Sequence, residues 1–141
     1  MARPAEKTTL YALIAAGAAA HATASAALTV RGLRPGADAV IFALSGGDAV
    51  SETDLAAFLG LGPPRLRGHL DRIVARGLVE LIATGPELGP HARLTETGRD
   101  TAAILERHWD NADRNLRRAL GKKSAKRLRK MLAKAATSLR R

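Results

Sequence analysis

The sequence predicts a mainly α-helical chain with one small β-hairpin. Three observations point there. The chain is 46% hydrophobic but only 3% aromatic, so its core is built mostly from Ala, Leu, Val and Ile, and Ala and Leu are strong helix formers. Apolar residues recur at spacings of three and four before Gly77 and after Thr97. Between residues 79 and 94 the period changes to two around a Gly- and Pro-rich stretch, a hairpin pattern. With 141 residues a single domain is expected. The absence of cysteine excludes disulfides, thiolate zinc sites and a cysteine nucleophile.

The first helix is expected from Glu6 to Val30, ended by Gly32 and the Arg34-Pro35-Gly36 turn. Arg3 and Lys7 precede its apolar stretch Leu10–Ala20, and Ala24-Ser25-Ala26 has the small residues of a cleavage site, the layout of a secretory signal. The stretch is mostly Ala, however, and Gly17 and His21 interrupt it. A small-residue packing helix is therefore expected, with no membrane partner. A second helix covers Ala37 to Leu44, and Ser45–Asp48 form a turn.

Ser51-Glu52-Thr53-Asp54 has the acceptor and the carboxylate of a capping box. It opens a short helix to Leu59, with Leu55, Phe58 and Leu59 on one face. Gly60-Leu61-Gly62 is a tight connection, and Pro63 stands where a first-turn proline is tolerated. The next helix, Pro63 to Arg76, repeats apolar residues at Leu66, Leu70, Ile73 and Val74. Gly77 is its natural C-terminal cap. Val79–Ala83 and Ala92–Leu94 are the two strands of the hairpin, with its tip at Thr84–Pro90. Thr95 or Thr97 caps a long helix with the stripe Leu105, Trp109, Ala112, Leu116 and Ala119. Gly121 breaks it. The last helix, Lys122 to Leu139, carries Ala125, Leu128, Leu132, Ala135 and Leu139 on one side and almost only Lys and Arg on the other.

Two short helices, a tight turn and a hairpin make a winged helix-turn-helix. An α-helix fits the major groove, where base edges carry distinguishable donor and acceptor patterns. With its apolar side buried, the Pro63–Arg76 helix turns Pro64, Arg65, Gly68 and Arg72 outward, flanked by Arg67, His69, Asp71 and Arg76. Arg65 and Arg72 are the best candidates for base or phosphate contact. Gly68 costs about 1 kcal/mol in a helix interior relative to Ala. Close approach to DNA would explain it, and so would tolerance at an exposed site. The bland alternative for the arginines is an ordinary charged surface; the hairpin argues against it.

The net charge of +10 is unevenly placed. Residues 1–106 carry ten basic and eleven acidic side chains, whereas residues 107–141 carry thirteen basic and two acidic. Such a block favours polyanions. It also fits a simply solvated helix face.

From Gly32 to about Ala103 the chain resembles the MarR family of bacterial regulators. The resemblance is carried by Gly32-Leu33, Val40-Ile41 and Leu44, Leu55-Ala56, Leu59-Gly60-Leu61, Leu70-Asp71-Arg72-Ile73, Arg76-Gly77-Leu78-Val79 and Leu94-Thr95-Glu96-Thr97-Gly98-Arg99. It implies a winged helix-turn-helix (35–94) flanked by dimerisation helices at the N-terminus (1–34) and C-terminus (95–141). It further implies a homodimer that reads a pseudo-palindromic duplex, represses a promoter and is released by a small-molecule effector. Such a protein is cytoplasmic and nucleoid-associated. Two long helices with apolar faces and no third layer independently ask for a partner chain. The chain departs from the family at the wing, where the usual acidic-Arg-Arg signature is replaced by Gly85–Arg93 and only His91 and Arg93 could serve. It departs again at the start of the reading helix, where Pro63-Pro64 offers no donor.

Chemistry for catalysis is not visible. His21, His69, His91 and His108 show no metal spacing, and His108 with Asp110 and Asp113 does not share a helix face. No glycine loop cradles phosphate, and no base is placed to activate a serine. No enzyme activity, metal or cofactor is expected. Two alternatives to a sequence-specific regulator remain: a sequence-tolerant architectural DNA binder acting through the basic C-terminal helix, and an interaction module that has lost DNA binding.

Overall fold

The computed structural model describes residues 4–83, Gly85 and residues 89–140. After a 3-10 turn at Pro4–Lys7 come α1 (Thr9–Val30), α2 (Ala37–Ala43), β1 (Val50–Ser51), α3 (Glu52–Leu59), α4 (Pro63–Ala75), β2 (Val79–Ala83), β3 (Pro90–Leu94), α5 (Glu96–Leu120) and α6 (Lys122–Leu139). The mainly α fold class with a small β-wing is as expected. The chain divides into two compact units, one ending at Glu106 and one beginning at Arg107.

Local chemistry sets the helix starts. The Thr8 hydroxyl donates to the Ala5 carbonyl at 2.8 Å and accepts the Tyr11 N–H at 3.1 Å. That cap begins α1 at Thr9, later than the expected Glu6. Ser51 accepts the Asp54 N–H at 3.1 Å and starts α3. Phe58 does not join the buried face of α3, being 79% exposed. At about 100° per residue, Leu55, Leu59 and Ala56 share one arc and Phe58 falls outside it.

The wing has three strands rather than two, in the order β1-β3-β2, both pairings antiparallel. Val79 faces Leu94 and Leu81 faces Ala92, while Val50 faces Ala92 from the other side. Two residues of β1 are too few to show a period, which is why the sequence pattern missed it. β3 begins at Pro90, where a strand's first residue tolerates a missing donor. Of the expected hairpin tip, Thr84 and Pro86–Leu88 lie outside the described residues.

The core of the first unit gathers Leu28, Val40, Ile41, Leu44, Leu55, Leu66, Leu70, Ile73, Leu94 and Leu105. One interlock closes it. Gly77 ends α4 at φ 74°, a conformation glycine adopts without strain. Its carbonyl accepts the Thr95 hydroxyl at 2.6 Å, and the same hydroxyl accepts the Gly98 N–H at 3.0 Å, capping α5. The Thr95 N–H donates to the Leu78 carbonyl at 3.0 Å. A Cβ on Gly98 would sit 1.9 Å from that Leu78 oxygen. The Arg-Gly-Leu-Val and Leu-Thr-x-x-Gly-Arg motifs are thus two halves of one joint.

Outside that core, apolar surface stays open. Leu28 is the buried residue of α1, and this helix is long and apolar enough to cross a membrane by length and composition. In the second unit Ala125 is buried, but Leu116 on α5 and Met131 and Leu132 on α6 are exposed.

Candidate nucleic-acid interface

The helix-turn-helix is α3, the Gly60–Gly62 turn and α4. Leu66, Leu70 and Ile73 anchor α4 in the core, each no more than 1% exposed. Its other side carries Pro64, Arg65, Arg67 and Arg72, all exposed. Pro63 and Pro64 occupy the first turn, and the first backbone donors, Arg65 and Leu66, are both turned to the Gly62 carbonyl at 3.1 Å. The helix start therefore presents few N–H groups to a phosphate.

Arg65 and Arg72 have no ion-pair partner among the described residues. Arg67 does: its Nη1 lies 3.0 Å from Glu52 Oε1 on α3 and 4.0 Å from Asp71. It braces the two helices of the motif. A Cβ on Gly68 would meet nothing within 4 Å, so the position is open toward solvent.

His69 is turned differently. A Cβ on Gly36, just before α2, would meet its imidazole Cε1 at 2.9 Å. The ring lines a cleft of about 430 Å³ together with Leu33, Arg34, Ala37, Arg72 and Arg76. Its pKa is lowered from 6.5, first by burial and then by the Arg72 and Arg65 charges, with Asp38 opposing. Arg76, which sequence reasoning placed only on the flank, donates from Nη1 to the Arg31 carbonyl at 3.2 Å. It ties the end of α4 to the end of α1. A side chain reaching a helix terminus 45 residues away leaves no local sequence signal.

On the wing, Arg93 faces Glu80 across the β2–β3 pair. Its Nε and Nη2 both approach Glu80 Oε1, at 3.0 and 2.6 Å. His91 is half-buried on β3, with Nδ1 3.4 Å from the Gly89 carbonyl. The two wing candidates are therefore already held by protein groups, whereas among the described residues Arg65 and Arg72 have no ion-pair partner.

A braced two-helix motif with an exposed cationic second helix and a three-stranded wing defines a winged helix-turn-helix regulator. No protein-family model matches the chain and no curated relative matches it; the likeness is to solved structures. A MarR family transcriptional regulator from Silicibacter pomeroyi is 28% identical over 98% of this chain and 99% of its own, with a TM-score of 0.80. A Mycobacterium tuberculosis MarR family protein in complex with DNA is 26% identical over 91% of this chain and 97% of its own, at TM-score 0.71. CouR from Rhodococcus jostii, bound to p-coumaroyl-CoA, is 21% identical over 96% of both chains, at TM-score 0.78. CouR is also solved as a transcriptional repressor on a 23-mer duplex, there at 24% identity, covering 96% of this chain and 99% of that one, with TM-score 0.85. The chain has the MarR-family fold over nearly its whole length. It is a DNA-binding transcriptional regulator, and its neighbours are regulators rather than enzymes.

Proposed function

We propose that the chain acts as a homodimer that reads a pseudo-palindromic duplex through α4 and represses the promoter it covers. The observation that carries this is the pair of arginines, Arg65 and Arg72, without an ion-pair partner among the described residues, on the outer side of a helix whose inner side is locked into the core. An arginine paired bidentately with guanine contributes about 1–3 kcal/mol of base discrimination. Arg67 and Gly68 border the contact, and Pro64 packs at its leading edge. His91 and Arg93 would meet the backbone beside it, and His69 would tune the charge of the helix from the cleft.

Residues 35–94 would form the DNA-binding region, with 1–34 and 95–141 supplying the dimer contacts. The exposed apolar residues Leu10 and Ile14 on α1 and Leu116 and Leu132 on the C-terminal helices support that division. Since the likeness to the Silicibacter pomeroyi regulator spans 98% of the chain, α1 falls within it, which supports a packing helix. The protein would then work in the cytoplasm, on the nucleoid.

Release by a small-molecule effector is the second part of the proposal. The cleft beside α4 is in the size range of ligand sites, and a similar fold, CouR, is bound to p-coumaroyl-CoA. Selection of bound duplexes from a random pool tests the DNA-reading part of the proposal. Two inverted half-sites about one helical turn apart are expected. A pool with no enriched motif would sink it in favour of sequence-tolerant binding, and no retained duplex at low salt would leave an interaction module.

A further inference from the structure

We propose that the polar face of α6 is a second DNA-contacting surface, gripping the phosphate backbone of a duplex without regard to sequence. The inference rests on the chain being a DNA binder, but not on α4 reading bases. Between Lys122 and Leu139 the helix carries seven basic residues and no acidic one. Among the described residues none of them is ion-paired, although α5 forms an Asp113–Arg117 pair close by in sequence.

Their positions are ordered. At about 100° per residue, Lys123, Lys126, Arg127, Lys130 and Lys134 fall on one broad arc. Ala125, Leu128, Leu132, Ala135 and Leu139 fall on the opposite one. Burying the apolar arc in a dimer would leave the basic arc facing away from that contact. From Lys123 to Lys134 the ridge is about 16 Å long at 1.5 Å per residue. A duplex presents roughly nine phosphates over that distance. An unneutralised cationic ridge of this length matches the one polyanion that the fold already engages. An interfacial membrane helix sets Trp, Phe or Leu opposite its basic face; α6 has leucines there but no Trp or Phe, and those leucines lie on the arc that a dimer would bury.

The test uses the full chain with Lys123, Lys126, Lys130 and Lys134 all changed to Gln. Binding to a selected operator and to an unrelated duplex is titrated across salt concentrations. Each neutralised phosphate contributes about 0.9 to the slope of log K against log salt. The variant's slope should therefore be shallower by about 3–4 on both duplexes, with the operator-to-unrelated ratio unchanged. If the fourfold variant does not fold, Lys126→Gln with Lys130→Gln should shift the slope by about half as much, and a fourfold change to Arg should leave it intact.

An unaltered slope in a folded variant would overturn the proposal. So would an unaltered slope together with sedimentation on phosphatidylglycerol vesicles, which would assign the face to a membrane instead. A wild-type ratio near one would refute specific reading by α4 while still leaving the slope to report on α6.

Discussion

Gly98 has no room for a side chain, because the Leu78 carbonyl occupies the place of a Cβ. Backbone on both sides must move to admit a methyl group. Gly98→Ala should therefore cost about 3 kcal/mol or more, the upper range for overpacking, read as a lowered urea midpoint. Thr95→Val removes a cap and a hydrogen bond but no backbone clearance, and should cost about 1–2 kcal/mol. His69 makes a different prediction. Its folded pKa lies below 6.5, so below that value the unfolded chain takes up the proton more readily. Stability from this residue is complete above the unfolded pKa and falls as pH drops through it. The groups acting on it are Arg65 and Arg72 from α4 and Asp38 from α2. Wild type should lose more of its urea midpoint between pH 7 and pH 5 than His69→Gln does.

Among the elements, α4 combines a fixed back with a free front. Arg65→Ala and Arg72→Ala should each lower the preference for the operator by about 1–3 kcal/mol, measured by competition with scrambled duplex, and leave the urea midpoint nearly unchanged. Arg67→Ala should do the reverse on a small scale, losing about 1–2 kcal/mol of stability, because it leaves the half-buried Glu52 without its ion-pair partner on α4. The sequence made these assignments in part. Capping is local chemistry, so Ser51 and Gly77 could be read directly as element boundaries, and the cap of α5 could be narrowed to Thr95 or Thr97. The outward arginines followed from the apolar spacing of Leu66, Leu70 and Ile73. Partners were another matter. Nothing near Arg67 or Arg93 announces Glu52 or Glu80, because those meetings depend on how helices and strands pack. The ring of His69 is placed by Gly36, 33 positions earlier, and β1 is defined by its register with β3 rather than by any pattern of its own. Phe58 was misplaced because a spacing of three fits a helical face only when that face is wide enough.

At the scale of the whole molecule, open apolar surface and concentrated charge have separate roles. Exposed Leu116 and Leu132 lie on long helices that bury little within one chain. Leu132→Glu should weaken a dimer, seen by sedimentation equilibrium as a shift toward monomer, while the helix-turn-helix keeps its fold. The thermal midpoint of wild type should rise with protein concentration, as mass action requires of a folded dimer. On the proposed reading the basic residues of α6 would add sequence-independent affinity, whereas the choice of site would belong to α4. The most direct measurement is the ratio of affinities for the selected operator and for a scrambled duplex of equal length at fixed salt, in wild type and in Arg72→Ala. A wild-type ratio of about 1,000 or more, falling at least about fivefold in the variant, is the expected result; a ratio near one, or one that Arg72→Ala leaves unchanged, would contradict reading through α4.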